Sequence, residues 1–289
     1  MNIISFIHIS DLHFENNYEG KFIERLSALT NMTITDQIIV GLREIVNAHE
    51  NIDFVLLTGD ITHHGSIDDY ACLRTIIDEE LGGIPVFIAL GNHDEDKFYG
   101  GYLGISSAMS NDEKRKENSH KSYYYSFNFN GLRIISLDSR GGKNESGFID
   151  REQLDWLRKE LESESEKGTI LILHHTPHIS GENETLSYQM ENPNDLYEAI
   201  KDSDVKAIFA GHTHKAFASM LGKIPCYTVD SLSYGIDLFM DRMEINNRTG
   251  YNYCEIADTG NLAVRHIPIT REEDKKATVR YYEMMKTKT

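Results

Sequence analysis

Cysteine is scarce in this sequence: its 289 residues include three, Cys72, Cys226 and Cys254. They are far apart and form no Cys-x-x-Cys pair, so they provide neither a disulfide framework nor the thiolates of a structural zinc site. A sparse, odd number of thiols indicates reduced cysteines in a cytoplasmic protein. Internal repeats and Pro/Ser-rich linkers are also missing, and we therefore expect a single domain over residues 1–289.

Basic side chains are in deficit, with 29 Lys and Arg against 46 Asp and Glu and a formal net charge of −17. A surface that binds duplex nucleic acid needs a basic stripe, so a nucleic-acid polymer is an unfavourable partner and a nuclease is disfavoured. A small phosphate compound is not excluded. Bound metal ions are the largest local charges in such a site and attract phosphate whatever the net charge.

Long hydrophobic runs are missing at the N-terminus. The apolar run Ile3–Ile9 has no basic region before it and stops at Asp11, which makes it too short for a signal-peptide core or a membrane span. We therefore expect a cytoplasmic protein that has no membrane partner. Triplets of the Asn-x-Ser/Thr type, such as Asn183-Glu184-Thr185, carry no meaning without a secretory signal.

Short apolar, β-branched runs alternate with longer amphipathic stretches, which is the pattern of an α/β fold. The runs predict buried strands at Ile3–Ile9, Phe54–Leu57, Pro85–Leu90, Ile134–Leu137, Ile170–Leu173 and Ala207–Ala210. The amphipathic stretches predict helices at Asp36–His49, Ile67–Leu81 and Arg151–Glu164, and a further helix that begins at an Asn194 N-cap and runs through Lys201.

Hairpins are predicted between some of the strands. Asn130-Gly131 suits a type I′ turn, and similar turns are expected around Gly222-Lys223 and Gly260-Asn261. Hairpins mixed with βαβ units predict two mixed β-sheets packed face to face with helices outside. The charged stretch around 100–120 predicts a surface insertion, and the tail around 271–286 predicts a C-terminal surface helix.

Five short polar motifs each follow a predicted strand. They are Asp11-Leu12-His13, Gly59-Asp60, Gly91-Asn92-His93-Asp94, His174-His175 and Gly211-His212-Thr213-His214. Each motif alone is more simply explained as a residue that caps a loop or makes a local hydrogen bond. Together they indicate a metal site, because ligands for a catalytic metal come from the C-terminal ends of strands, where loops converge on one crevice.

The residue types in these motifs also suit a metal site. Aspartate, histidine and asparagine give a mixed nitrogen and oxygen donor set without thiolate, which favours Mn, Fe or Zn in a catalytic site over a structural zinc. In Asp11-x-His13 and His212-x-His214, alternate side chains of an extended segment point the same way. Each of these segments can therefore offer two donors to one cluster.

The ordered set resembles the calcineurin-like metallophosphoesterase superfamily, whose pattern is D-x-H, G-D, G-N-H-[D/E], H and G-H-x-H. The resemblance spans Asp11 to His214. The details ISDLHF, GNHD, HH-x-P and GHTH are most similar to the bacterial class III cyclic-nucleotide phosphodiesterase-like branch. The resemblance implies a mixed α/β fold, a four-layer α-β-β-α sandwich of two mixed β-sheets flanked by helices, which agrees with the sheets predicted above.

The resemblance further implies two divalent or trivalent transition-metal ions, Mn, Fe or Zn, that share seven ligands. The ligands of the first ion would be Asp11, His13, Asp60 and His214. Those of the second would be Asp60, Asn92, His174 and His212. His93 matches the family's non-ligand histidine, which faces the leaving oxygen, and Asn92 helps to hold the phosphoryl oxygens. The implied reaction is in-line attack of a metal-bridging hydroxide on a small phosphodiester.

Relatives often carry an acidic residue shortly after the Gly-Asp motif, and this chain has His63 and His64 there. These histidines are candidates for substrate contact, although a role in filling a polar loop is the favoured interpretation. The departure leaves open how His93 is oriented. Asp94 and His175 are further candidates for substrate contact or for support of the ligands.

Three functions remain open. The first is a phosphodiesterase for a small diester, such as a cyclic nucleotide, and the second is a phosphomonoesterase or pyrophosphate-type hydrolase at the same site. The motifs do not separate these two, because the metal ions contact only phosphate. The third is a non-catalytic scaffold of the same fold that binds a partner protein. It is disfavoured because every ligand position is filled.

Overall fold

The computed structural model describes residues 3–18, 24, 26–28, 32–95, 123–143, 145–177, 190–239, 242–269 and 276–279. The helices are α1 (Ile34–Ala48), α2 (Ile67–Leu81), α3 (Arg151–Glu160) and α4 (Pro193–Ile200). The strands are β1 (Ile4–Ile9), β2 (Phe54–Thr58), β3 (Val86–Ala89), β4 (Tyr125–Phe129), β5 (Leu132–Ser136), β6 (Thr169–Ile172), β7 (Val205–Phe209), β8 (Ala218–Leu221), β9 (Ile224–Tyr227), β10 (Gly235–Leu238), β11 (Met243–Asn246), β12 (Thr249–Ile256), β13 (Leu262–Ile269) and β14 (Lys276–Val279).

Two mixed β-sheets form the centre of the protein. In the first, the strand order is β13-β12-β1-β2-β3, with β1, β2 and β3 parallel and β12 antiparallel to both its neighbours. In the second, the order is β4-β5-β6-β7-β9-β8. The pairs β5-β6, β6-β7 and β7-β9 are parallel, and the edge pairs β4-β5 and β8-β9 are antiparallel. The prediction of two mixed sheets is therefore confirmed.

Three apolar clusters show how the layers stack. The cluster between the sheets joins Phe6 and Leu56 of the first sheet to Phe209 of the second, and the Phe6 and Phe209 ring centroids lie 5.6 Å apart. Helices α1 and α2 cover the outer face of the first sheet. Helices α3 and α4 cover the outer face of the second. This arrangement is the four-layer α-β-β-α sandwich that the resemblance implied.

Helix α1 has the start signal and the apolar spacing that its sequence predicts. Thr33 and Asp36 form a capping box, in which the Thr33 hydroxyl accepts from the Asp36 N–H and the Asp36 carboxylate accepts from the Thr33 N–H. The residues Ile38, Leu42 and Ile45 lie on one face and are fully buried against the sheet. The helix begins two residues earlier than predicted, at Ile34.

Two helix boundaries differ from the prediction for local reasons. Helix α3 ends at Glu160 and not at Glu164, because Arg133 takes the carbonyl oxygens of Glu160 and Ser163 as acceptors. Helix α4 begins at Pro193, and its N-cap position is Asn192, so the predicted Asn194 cap is wrong. Proline suits a first helical turn, where no main-chain N–H is needed.

The predicted hairpins are all present, joining β4 to β5, β8 to β9 and β12 to β13. In the first, Asn130 and Gly131 have φ values of 50° and 88°, the left-handed conformation that a type I′ turn requires at both central positions.

The C-terminal prediction needs correction. A surface helix was expected around 271–286, but Lys276–Val279 forms β14, which pairs antiparallel with β11 in a small third sheet of order β10-β11-β14. Pairing with a distant strand overrides the local pattern of the tail. The rest of the expected helix and the expected insertion at 100–120 lie outside the described residues. Within the described part of the chain, no helix combines the length and the apolar composition needed to cross a membrane.

A buried histidine links the two sheets beneath their C-terminal edge. His8, on β1, is fully buried, with its Nε2 2.9 Å from Thr58 Oγ1 and its Nδ1 3.1 Å from Asn252 Nδ2. Its ring packs edge-on against Phe209 at 5.2 Å. Burial, and then the neighbouring His266, lower the pKa of His8 to about 3. The folded protein therefore keeps this ring neutral at pH values where the unfolded chain protonates it.

We predict that His8 makes the protein less stable in acid. The unfolded ring has an ordinary pKa of 6.5, so its contribution is complete above that pH and is lost as the pH falls towards about 3. From pH 6.5 to pH 5 the loss is about 2 kcal/mol, since one pKa unit corresponds to about 1.4 kcal/mol. In urea titrations of metal-stripped protein, His8→Gln should therefore show a smaller fall in the free energy of unfolding than wild type. His64→Gln, at an exposed position, is the control. If the free energy of unfolding falls with pH equally in wild type and in His8→Gln, the prediction is contradicted.

Candidate functional site

All five polar motifs lie at one edge of the sandwich. The first three follow the parallel strands β1, β2 and β3, and the last two follow β6 and β7 of the other sheet. The C-terminal ends of both sets of strands meet at this edge, so seven side chains converge there. They are Asp11, His13, Asp60, Asn92, His174, His212 and His214.

One group of these side chains surrounds His214. Its Nε2 lies 3.0 Å from His13 Nε2 and 3.4 Å from Asp11 Oδ1, and His13 Nε2 lies 3.5 Å from Asp60 Oδ2. These side chains are all buried.

A second group surrounds His174, which is fully buried. Its Nε2 lies 3.1 Å from Asn92 Oδ1, 3.1 Å from His212 Nδ1 and 3.2 Å from Asp60 Oδ2. The same Asp60 oxygen therefore faces both groups. Asp60 is the side chain that connects them.

The protons of the ring nitrogens explain why these groups suit cations. His174 Nδ1 lies 2.7 Å from the Thr58 carbonyl oxygen, and His214 Nδ1 lies 2.7 Å from that of Tyr234. Each Nδ1–H donates there, so a neutral ring turns the lone pair of its Nε2 towards carboxylate and amide oxygens that also only accept. Buried acceptors that face one another need a positive charge between them. Ligands held about 2.0–2.2 Å from one ion lie roughly 3 Å apart, which matches the separations found here.

The electrostatics agree with this requirement. Burial alone would raise the pKa of Asp60, but the imidazoles of His174 and His93 hold that pKa well below its usual range. Burial would lower the pKa of His174, whereas Asp60 and Asp11 beside it raise that pKa to about 9. Without a metal ion, a proton supplies the positive charge between these carboxylates. A bound cation would replace that proton, since imidazole must be deprotonated to act as a ligand.

The backbone is strained at these positions. Five of the seven residues are non-glycines with positive φ: Asp11 at 56°, His13 at 45°, Asp60 at 47°, His212 at 69° and His214 at 50°. Each such conformation costs on the order of 1–3 kcal/mol and persists where the surroundings impose it. The concentration of strain at one edge marks that edge as functional.

Close backbone approach is also built into the site. A Cβ atom at Gly91 would overlap the Asp60 carboxylate, and one at Gly59 would overlap the ring of His174. Glycine is needed at both positions because no side chain fits.

Residues far along the chain hold the strained loops in place, and sequence reasoning did not identify them as supports. The hydroxyl oxygens of Ser231 and Ser233 lie 2.6 Å and 2.8 Å from the main-chain oxygen of Asp11. The buried ring of Tyr234 lies 4.7 Å from that of His214. Arg248 donates to the carbonyl oxygen of His214 at 3.5 Å. No local pattern signals such contacts, because they depend on the folded topology.

His93 lies beside the two groups, half-buried. Its main-chain N–H donates to Asp60 Oδ1 at 2.9 Å, and its Nδ1 lies 2.9 Å from the carbonyl oxygen of His63. With Nδ1–H donated to that carbonyl, Nε2 is the ring nitrogen left for chemistry. The orientation of His93, which the missing acidic residue left open, thus comes from a main-chain carbonyl.

Asp94 supports the loops. Its carboxylate accepts from the main-chain N–H groups of Ile61, Thr62 and Gly91 at 2.9–3.2 Å and from the Tyr70 hydroxyl at 3.0 Å. It thereby ties the loop after β2 to the loop after β3. Burial, and then the Asp60 carboxylate, raise the pKa of Asp94 to about 6.

The remaining candidate histidines have different surroundings. Both ring nitrogens of His175 are engaged, Nδ1 by Ser139 Oγ at 2.8 Å and Nε2 by the Glu145 carbonyl oxygen at 3.0 Å. Of the adjacent pair, His174 is thus the one that turns a nitrogen towards Asp60. His64 is exposed and lies 3.3 Å from Glu15, whereas His63 reaches inward to His13.

The chain is similar to named proteins over most of its length. It is 29% identical over 262 residues, 90% of this chain and 81% of the other, to a probable cyclic nucleotide phosphodiesterase of Rhodococcus erythropolis. It is 27% identical over 238 residues, 80% of each chain, to a probable glycerophosphodiester phosphodiesterase of Arcobacter nitrofigilis.

The fold is also found among solved structures. A dimetal phosphatase from Danio rerio superposes with a TM-score of 0.55 at 16% identity, over 92% of this chain and 98% of the other. The family model of the calcineurin-like phosphoesterases matches residues 4–216, which include every candidate ligand. The chain therefore belongs to the calcineurin-like phosphoesterase family, and it is a metal-dependent phosphoric ester hydrolase.

Proposed function

We propose that this protein hydrolyses small phosphodiesters at a pair of metal ions held by the seven converging side chains. The observation that carries the proposal is the position of Asp60 Oδ2, which lies 3.5 Å from His13 Nε2 and 3.2 Å from His174 Nε2. One carboxylate between two donor groups is the arrangement that a dinuclear site requires.

The proposed ligands divide as the two groups do. Asp11, His13 and His214 would hold one ion, Asn92, His174 and His212 would hold the other, and Asp60 would bind both. When bound, such a pair supplies Lewis acidity for a phosphoryl oxygen and lowers the pKa of coordinated water to roughly 7. The donors carry no thiolate, which favours Mn, Fe or Zn in this role.

Asn92 and His93 would act on the substrate directly. The Asn92 side chain turns its oxygen towards His174, which leaves its amide hydrogens to hold a phosphoryl oxygen. His93 has its Nδ1 proton committed to the His63 carbonyl, so a proton on Nε2 can pass to the leaving oxygen as the P–O bond breaks. His93 is thus the proposed general acid.

The substrate class follows from charge and from the relatives. A net charge of −17 disfavours polyanionic chains as substrates. The two named relatives bear names for different small phosphodiesters, a cyclic nucleotide and a glycerophosphodiester. What these compounds share is the diester phosphate, and a small phosphodiester is therefore the substrate class that we favour over monoesters and pyrophosphate.

We predict metal-dependent hydrolysis with a preference for diesters. Protein stripped with EDTA should be inactive, and added Mn²⁺ should restore cleavage of bis-p-nitrophenyl phosphate and of 3′,5′-cyclic AMP, with a higher kcat/KM than for p-nitrophenyl phosphate. Asp60→Ala should lose both ions and activity, since it removes the shared carboxylate. Metal content by plasma emission spectroscopy and initial rates measure both effects. A higher kcat/KM on the monoester would assign the site to a phosphomonoesterase, and an inert Mn²⁺-loaded protein would favour the scaffold alternative.

We predict that His93→Ala separates chemistry from metal binding. Loss of the proton donor should lower kcat on 3′,5′-cyclic AMP by about 10²–10⁴-fold, while metal content stays at the wild-type value. The loss should be smaller on bis-p-nitrophenyl phosphate, because nitrophenolate departs without a proton. His64→Ala is the matched control and should keep full activity. An equal loss of metal and activity in His93→Ala would reassign His93 as a ligand.

A further inference from the structure

His63 touches two parts of the site at once. Its Nδ1 lies 3.2 Å from His13 Nδ1, and its ring is stacked on that of His93, with centroids 4.8 Å apart and an interplanar angle of 22°. It is half-buried, and it lies shortly after the Gly-Asp motif, where the family resemblance leads one to expect an acidic residue. The favoured interpretation from sequence, a histidine that fills a polar loop, does not account for these contacts.

In the hydrogen bond between His13 and His63, the donor and the acceptor can be assigned. His13 Nε2 faces Asp60 Oδ2 at 3.5 Å and His214 Nε2 at 3.0 Å, so it is the nitrogen that a metal ion would take. The single proton of a neutral, ligating His13 must then be on Nδ1. It follows that His13 Nδ1–H donates and His63 Nδ1 accepts. An accepting Nδ1 in turn requires the proton of the His63 ring to be on its own Nε2.

Two other histidines at the site also need an acceptor for Nδ1–H, and in both cases the acceptor is a main-chain carbonyl. His174 and His214 donate their Nδ1–H groups to main-chain carbonyls, those of Thr58 and Tyr234. A histidine ligand needs such an acceptor, because the hydrogen bond fixes both the tautomer and the ring orientation. For His13 the acceptor is a side chain, and it can therefore be removed by substitution without altering the backbone.

We propose that His63 is a positioning residue, whose Nδ1 accepts the proton of His13 and so holds His13 Nε2 towards the metal pair. The inference rests on the proposed function, since it takes His13 as a ligand. The stack on His93 places the same ring against the proposed general acid. The carbonyl oxygen of His63 belongs to the main chain, so a side-chain substitution keeps the hydrogen bond that orients His93.

The test is the affinity of stripped protein for Mn²⁺, measured by isothermal titration calorimetry without substrate. His63→Ala removes the acceptor and should weaken binding by about 10–100-fold, the usual effect of losing the partner of a histidine ligand. His63→Asn offers Oδ1 near the position of the lost Nδ1 and should bind Mn²⁺ with nearly wild-type affinity. His64→Ala, at the exposed neighbour, should leave the affinity unchanged. Thermal melts of the stripped variants establish that each is folded.

Two results would overturn the proposal: an unchanged affinity in His63→Ala, or an equal loss in His63→Ala and His63→Asn, which would assign the effect to ring packing. Neither depends on catalysis. A wild-type protein that binds Mn²⁺ but leaves every phosphodiester intact would refute the proposed function and leave the role of His63 standing. A protein that hydrolyses diesters while His63→Ala binds Mn²⁺ normally would refute the role of His63 alone.

Discussion

The site depends on the carboxylate of Asp60, a buried acceptor that faces two sets of other acceptors. Asp60 is almost wholly buried, and the imidazoles of His13 and His174 approach the same oxygen. A cluster of this kind is unfavourable unless positive charge is present, because buried carboxylates repel one another and have lost their hydration. The pKa of His174 is raised to about 9 for the same reason: without a metal ion, a proton on His174 supplies the positive charge beside the carboxylates.

Contacts from other parts of the fold keep this cluster assembled, although several of its residues have unfavourable backbone conformations. Left-handed backbone at Asp11, Asp60 and His214 is tolerated because contacts from other elements fix it. Ser231 and Ser233 hold the carbonyl oxygen of Asp11, and Arg248 holds that of His214. These supports come from the segments that follow β9 and β11, so residues 231–248 stabilise proposed ligands that lie between residues 11 and 214.

The sequence predicts most of the fold where the signal is local. Asn130-Gly131 specifies its own turn, and the spacing of Ile38, Leu42 and Ile45 specifies a helix face. Strand β14 was wrongly predicted as helix because its conformation follows from pairing with β11, a contact that no local pattern contains. Residue type does not separate the adjacent His174 and His175; the resemblance favours His174 as a ligand, and the two rings differ in their hydrogen-bond partners. The role inferred for His63 likewise rests on a tertiary contact, the 3.2 Å separation of its Nδ1 from His13 Nδ1.

The donors come from both sheets: Asp11, His13, Asp60 and Asn92 follow strands of one sheet, and His174, His212 and His214 follow strands of the other. A cation pair seated there would fasten the two halves of the sandwich at their rim. Whatever binds the native state and not the unfolded chain shifts the folding equilibrium by mass action. Bound cations would therefore raise the free energy of unfolding, by an amount that grows with the free metal concentration.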